Sequence, residues 1–267
     1  MARIESDAFG SVELPDEALY GIQTWRSVAN MTFSPRRLRD YPAYIAAMAE
    51  VKIAAARANE RAGLVPPQIA EAIREACGEI ASGKHHEHFI VDAYHGGGSI
   101  GSNMNMNEVV ANLASERLGG RRGTYDPVSP SEHVNASQST NDVCHTAMRI
   151  AILRSGRSLD RELDRLAAAL TDKAEELAGV ATITRTCLQD AMADTMGNLF
   201  AGYAAGLRRR KAALAGSIDR LHAVNIGGTV IGSGVGAPEA YRRHILDDLR
   251  EVTGLSLRHR DCLYDAS

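Results

Sequence analysis

Six consecutive residues, Ser137-Gln138-Ser139-Thr140-Asn141-Asp142, place hydroxyls, amides and one carboxylate directly before an apolar run with helical spacing. The first backbone N–H groups of a helix have no intrahelical partner, and aligned peptide dipoles add partial positive charge there. A polar turn delivered onto such a terminus is an anion site. A bare cap needs only one Ser, Thr, Asp or Asn, so this segment exceeds what capping requires. Two more segments share its character. Gly83 to Asn107 holds His85-His86-Glu87-His88, then His95-Gly96-Gly97-Gly98-Ser99-Ile100-Gly101-Ser102-Asn103, then Asn105 and Asn107. The third is Thr184-Arg185-Thr186-Cys187-Leu188-Gln189-Asp190. Such residues bind carboxylates through directional hydrogen bonds and hold an anion whose charge grows in a transition state.

Other chemistries lack their residues. The glycine run has no Gly-Lys-Ser/Thr ending, which argues against a phosphate loop. The residues of the histidine cluster are adjacent and cannot all face one point, and no His-Glu-x-x-His spacing occurs, so the imidazoles read as structural, with no metal and no cofactor expected. There is no Gly-x-Ser-x-Gly elbow, and no pair of acids is spaced for glycoside hydrolysis.

The elements that must position these segments are mostly helices. Residues 1 to 40, interrupted by Gly10, Pro15, Gly21 and Pro35, read as irregular chain with a short strand. Helices are expected from Pro42 to about Ala62, capped by Asp40, from Pro67 to Ile80, and from Asn103 to Leu118. Gly119 to Pro130 reads as a connector at a domain boundary. A stripe of Ile152, Leu159, Leu163, Leu166, Leu170 and Leu177 predicts a helix from Asp142 to about Leu177, about 50 Å long at about 1.5 Å per residue. A second long helix should run to about Val224, on Met196, Phe200, Tyr203, Leu207, Leu214, Ile218 and Leu221. The small-residue loop Gly227 to Gly234 and a helix from Pro238 to Val252 follow. The expected fold is mainly α: a mixed, mostly helical N-terminal domain over 1–140, then a partial long-helix bundle over 141–267.

Of the 267 residues, 45% are apolar and 24% charged, which is ordinary globular composition. A net charge of -3 gives no attraction for nucleic acid, and the run Arg208-Arg209-Arg210-Lys211 lies inside a helical pattern, where it reads as a solvated or intersubunit face. No apolar stretch reads as a secretory signal or a membrane span. Cys77, Cys144, Cys187 and Cys262 lie far apart, as thiols of a reducing cytoplasm do.

The polar segments, taken in order, resemble the successive signatures of the aspartase and fumarase superfamily, closest to its aspartate ammonia-lyase branch. The resemblance rests on Ser137 through Asp142, on Gly96-Gly97 through Asn103-Met104-Asn105 with Asn107-Glu108-Val109, on Thr186 with Leu188-Gln189-Asp190-Ala191, and on Gly228-Thr229 with Ile231-Gly232. Phe9-Gly10, Pro15 and Tyr20-Gly21 resemble the family's N-terminal segment, so the whole chain is covered. The resemblance implies a homotetramer whose active sites are assembled from three subunits and use no cofactor. It also implies removal of a proton beside a carboxylate, an aci-carboxylate anion, and expulsion of ammonia or another group to leave an alkene.

Carried over by position, Ser139, Thr140 and Asn141 resemble substrate-carboxylate contacts, Thr186 the hydroxyl of the third motif, and Asn103 a residue of the second. The implied substrate-binding set is Asn103, Ser139, Thr140, Asn141 and Thr186, and the implied catalytic set Thr140, Thr186, Cys187 and His145. There are departures from the family pattern. Ile100 stands where the family has a carboxylate-binding Thr, Cys187 where His or Gln is usual, His145 where Pro is, Thr184 where Gly is, and Asn198 where Gln is. Ile100 suits a substrate of smaller charge or greater bulk beside its carboxylate, and Cys187 reads as tuning the leaving-group side. The family's basic serine lies on a Gly- and Ser-rich loop that does not occur among residues 1–267. The chain therefore reads as an N-terminal portion of a lyase, or a naturally shortened relative, inactive alone. The alternatives are an inactive helical scaffold or partner subunit, and a superfamily lyase with another leaving group.

Overall fold

The structure is a computed structural model that describes residues 2–94 and 99–266. His95, Gly96, Gly97 and Gly98 lie outside the described residues. Two compact units divide the chain, residues 1–151 with 222–267 and residues 152–221. This partition follows contacts within the chain and is drawn elsewhere than the boundary expected between 140 and 141.

In the first unit, residues expected to be largely irregular form an antiparallel hairpin and a helix. Strand β1 (Ala2–Asp7) pairs with β2 (Gly10–Pro15), and α1 (Ile22–Asn30) follows. Side chains far away in sequence hold this helix start. The buried Glu108 accepts hydrogen bonds from the N–H groups of Gly21, Gln23 and Thr24 and from the Thr24 hydroxyl, at 2.6–3.0 Å. Glu5 accepts from the Ile22 N–H and the Tyr125 hydroxyl, both at 2.9 Å. Two carboxylates thus satisfy the orphan donors of α1 where its dipole is positive. Gly21 is required for space: a Cβ there would lie 1.7 Å from Tyr125 Oη.

The core is built by α2 (Pro42–Arg61), α3 (Pro67–Ala81), α4 (Ile100–Arg117) and α7 (Glu239–Thr253), with α2 packed on both α3 and α7. Helix α2 is buried nearly all round, and its alanines at 47, 49, 54, 55, 56 and 58 let neighbours approach closely. The expected Asp40 cap is corrected. Asp40 accepts the Arg37 N–H at 2.9 Å and closes the short turn Leu38–Asp40, while Pro42 opens α2 in the position where a missing N–H is harmless. Helix α4 starts at Ile100, earlier than the asparagines suggested, because Asn103, Asn105 and Asn107 are buried and the first two find partners in tertiary structure: Asn103 donates to Asn135 and Thr140, and Asn105 accepts from the Ile90 N–H and donates to His88 O.

Helix α5 (Thr140–Glu176) begins in the first unit and continues into the second. The second unit also holds β3 (Ala181–Thr186) and β4 (Gln189–Thr195), an antiparallel hairpin where a polar loop was expected, and α6 (Met196–Asp219). Gly156 of α5 admits Ile218, which a Cβ would meet at 2.9 Å. The basic run of α6 is partly spent on α5: Lys211 pairs with Asp164 at 2.5 Å and Asp160 at 3.1 Å. Back in the first unit, β5 (Ala223–Val224) pairs in parallel with β6 (Arg258–His259).

Candidate active site

Two of the polar segments and the small-residue loop meet within the first unit, and Asp142 joins the turn before α5 to that loop. Its Oδ1 accepts the Ser139 N–H at 2.9 Å, and its Oδ2 accepts the N–H groups of Gly227 and Thr229, both at 3.1 Å. Burial pushes the Asp142 carboxyl above the usual range, opposed by these three N–H donors and by the nearby Lys52 ammonium. Asn141 adds a second link, its Nδ2 donating to Val230 O at 2.7 Å. The small-residue loop is thereby fixed beside the first turn of α5.

Ser139 is the cap of that helix. Its Oγ accepts the Asn141 N–H at 3.3 Å while Asp142 accepts the Ser139 N–H, the reciprocal pattern of a capping box. Thr140 Oγ1 accepts from Asn103 Nδ2 at 3.2 Å. A hydroxyl carries one proton and two lone pairs. Among the described residues both hydroxyls act as acceptors and neither donates, so their protons remain as donors at a positive helix end. Behind them, Asn135 Oδ1 accepts from Asn103 Nδ2 and from Lys52 Nζ, each at 3.0 Å. Lys52 is 0% exposed, and burial drives its pKa down to about 8. The sequence reading missed it, because one lysine in a long Ala-rich helix resembles a solvent-facing residue.

Of the expected set, the structure brings Asn103, Ser139, Thr140 and Asn141 together. His145 lies half-buried on the second turn of α5. Ile100 is half exposed at the start of α4, next to Ser99, whose carbonyl faces the Cys144 thiol at 3.8 Å. Thr186 and Cys187 belong to the second unit, both exposed at the tip of the β3–β4 hairpin. Cys187 and Leu188 form its two-residue turn with φ of 49° and 62°, and Leu188 is 92% exposed. Turns with both central residues left-handed favour Asn and Gly, so this tip stores strain.

The histidine cluster has local partners. His85 Nε2 meets Glu79 Oε2 at 2.8 Å, His86 Nε2 meets Ile80 O at 2.9 Å, and His88 Nδ1 accepts the Leu19 N–H at 3.3 Å. The ligand atoms of His85, Glu87 and His88 do come within 4.8 Å of one another. However, accepting at Nδ1 leaves the His88 proton on Nε2, the nitrogen nearest Glu87, which is the wrong tautomer for a ligand there.

Comparisons with known proteins bear on the family of the chain as a whole. A family profile described as "Lyase" matches residues 10–266. The chain is 42% identical over 252 residues to an aspartate ammonia-lyase of Helicobacter pylori, covering 94% of this chain and 54% of that protein. It is 39% identical over 266 residues to a fumarate hydratase class II of Methylorubrum extorquens, covering 99% of this chain and 56% of that protein. The crystal structure of fumarate lyase:delta crystallin from Brucella melitensis bound to cobalt superposes with a TM-score of 0.94 at 42% identity, over 100% of this chain and 58% of that one. The chain spans about half the length of the curated relatives it matches. With its ordered polar motifs, its helical architecture and these likenesses in agreement, the chain belongs to the Lyase family, within the aspartase and fumarase superfamily.

Proposed function

We propose that this chain supplies the carboxylate-holding part of a lyase that eliminates ammonia or another amine from the carbon next to a carboxylate-bearing carbon, with aspartate to fumarate as the leading reaction. One observation carries the reading: Ser139 and Thr140, at the N-terminus of α5, accept hydrogen bonds from within the protein and keep their protons for an anion. In the reaction a base removes the proton beside the carboxylate, and the electron pair becomes the aci-carboxylate. It then returns to form the double bond as the C–N bond breaks and the amine leaves with its electrons. Donors aimed at the carboxylate stabilise the intermediate more than the substrate, because its negative charge is greater. Thr186, Cys187 and His145 remain candidate catalytic residues of this proposal, in which several subunits of a homotetramer contribute to each site. Residues 1–140 and 141–267 are the proposed domains of that assembly. No helix among the described residues is long and apolar enough to cross a membrane. A cytoplasmic setting, a small-molecule substrate and no nucleic-acid partner belong to the same proposal.

The second reading, a superfamily lyase for a bulkier substrate, is favoured by Ile100, whose side chain cannot donate a hydrogen bond. Ultraviolet absorbance of alkene products across amino acids and betaines distinguishes the two. For either substrate, Thr140→Val deletes one charge-assisted bond worth roughly 1.5–3 kcal/mol, so kcat/KM should fall on the order of 10- to 100-fold with the fold unchanged. Unchanged kinetics with a native circular dichroism spectrum would assign the turn to helix capping alone.

A further inference from the structure

We propose that Lys52 is a positioning residue of this site: acting through Asn135 and Asn103, it sets the direction of the hydrogen-bond chain that ends at Thr140, leaving the Thr140 hydroxyl to donate to a carboxylate. The inference rests on the carboxylate-binding reading above.

The chain runs Lys52 Nζ to Asn135 Oδ1 at 3.0 Å, Asn103 Nδ2 to the same Oδ1 at 3.0 Å, and Asn103 Nδ2 to Thr140 Oγ1 at 3.2 Å. Two amides side by side have no inherent direction, because each can turn over and exchange its oxygen for its nitrogen. In the reversed arrangement Asn135 would donate to Asn103, and the Asn103 oxygen would accept from the Thr140 hydroxyl. The one proton Thr140 has would then be spent inside the protein. An ammonium removes this degeneracy, since it only donates. At pH 7 Lys52, with its pKa lowered to about 8, is an ammonium, so the Asn135 atom facing it is the oxygen. The Asn103 atom facing that oxygen is then nitrogen, and Thr140 must accept from it. Asn135 Nδ2, directed the other way, donates to Gln138 O at 3.3 Å, in keeping with the same orientation.

The position also argues for more than filling space. Lys52 is wholly enclosed on a helix where Val51, Ala54, Ala55 and Ala56 are buried as well. An enclosed ammonium is expensive to desolvate, and an apolar side chain there would avoid that cost. Burial acts on it most strongly, opposed by the Cys144 and Cys77 side chains and then by the Asp142 carboxylate.

The test is a double-mutant cycle on the folded protein, read as fumarate affinity by titration calorimetry. Thr140→Val and Lys52→Met should each weaken fumarate binding about tenfold. The double variant should be no weaker than either single one, because Lys52 acts through a hydroxyl already removed. Where Lys52→Met does not fold, Asn135→Leu takes its place in the cycle, and Asn135→Asp, which keeps an acceptor facing both Lys52 and Asn103, should restore affinity lost in Asn135→Leu. Multiplication of the two single effects, to about 100-fold, would overturn the relay while leaving the carboxylate site standing. A wild-type protein that does not bind fumarate, or a silent Thr140→Val, would overturn the site reading and the relay with it.

Discussion

Hydrogen-bond direction decides what a side chain can offer, and at Ser139 and Thr140 the direction is set from inside. The same economy of position governs Gly21. A Cβ there would meet Tyr125 Oη at 1.7 Å and the carboxylates of Glu108 and Glu5 at 2.8 Å, all of them committed to other bonds. Gly21→Ala should therefore cost about 3 kcal/mol in urea unfolding, the upper range for overpacking. A variant as stable as the wild type would show that the α1 clamp can shift. At this scale the sequence was legible where chemistry and spacing coincide. Ser139 and Asp142 stand three apart before an apolar run and proved to be a capping pair. Lys52 and Glu108 were not legible in their present roles. Their partners Asn135, Gly21 and Thr24 lie more than eighty residues away, and no local pattern announces a partner that distant.

At the scale of elements, the long helices were readable because their apolar residues recur at helical spacing, even where, as at Leu159 and Leu166 of α5, those residues are exposed in this chain. The β3–β4 hairpin was not, since most of its residues are exposed and leave no alternation of apolar and polar positions. Its turn is the informative part. Replacing Cys187-Leu188 by Asn-Gly suits two left-handed positions and should raise stability by on the order of 1 kcal/mol. If the strained tip serves catalysis, the same change lowers kcat in the intact enzyme; thermal melts and kinetics read the two effects separately. Asp92 anchors another element. It accepts from the N–H groups of Phe33, Ser34 and Tyr94 and from the Ser34 hydroxyl. Burial alone would raise its pKa, yet the N–H donors of Tyr94, Ser34 and Phe33 together bring it down from 3.8 to about 2. A carboxyl depressed on folding contributes stability above its unfolded pKa and loses it as pH falls through the folded value. The stability advantage of the wild type over Asp92→Asn should thus be full at pH 6 and shrink between about pH 4 and pH 2. A constant advantage across that window would assign the effect to packing.

At the scale of the whole molecule, Ile152, Leu159 and Leu166 recur every seven residues along α5 and are 43%, 48% and 50% exposed. Apolar residues at that period form the seam of a helix that meets another helix. Self-association is the expected outcome, and Leu159→Glu with Leu166→Glu should reverse it in light scattering at tens of micromolar. A monomeric wild type would remove the oligomer from the proposal. The carboxylate of Asp142 has a consequence in time as well as in space. Its partners at Gly227 and Thr229 follow it by 85 and 87 residues. During synthesis from the N-terminus, α5 can be capped by Ser139 as soon as it emerges. The buried acid must wait for the loop 227–229 before its remaining oxygen is satisfied, and closing so long a segment is a late step. The anion turn is thus among the first features the chain can form and among the last it can finish.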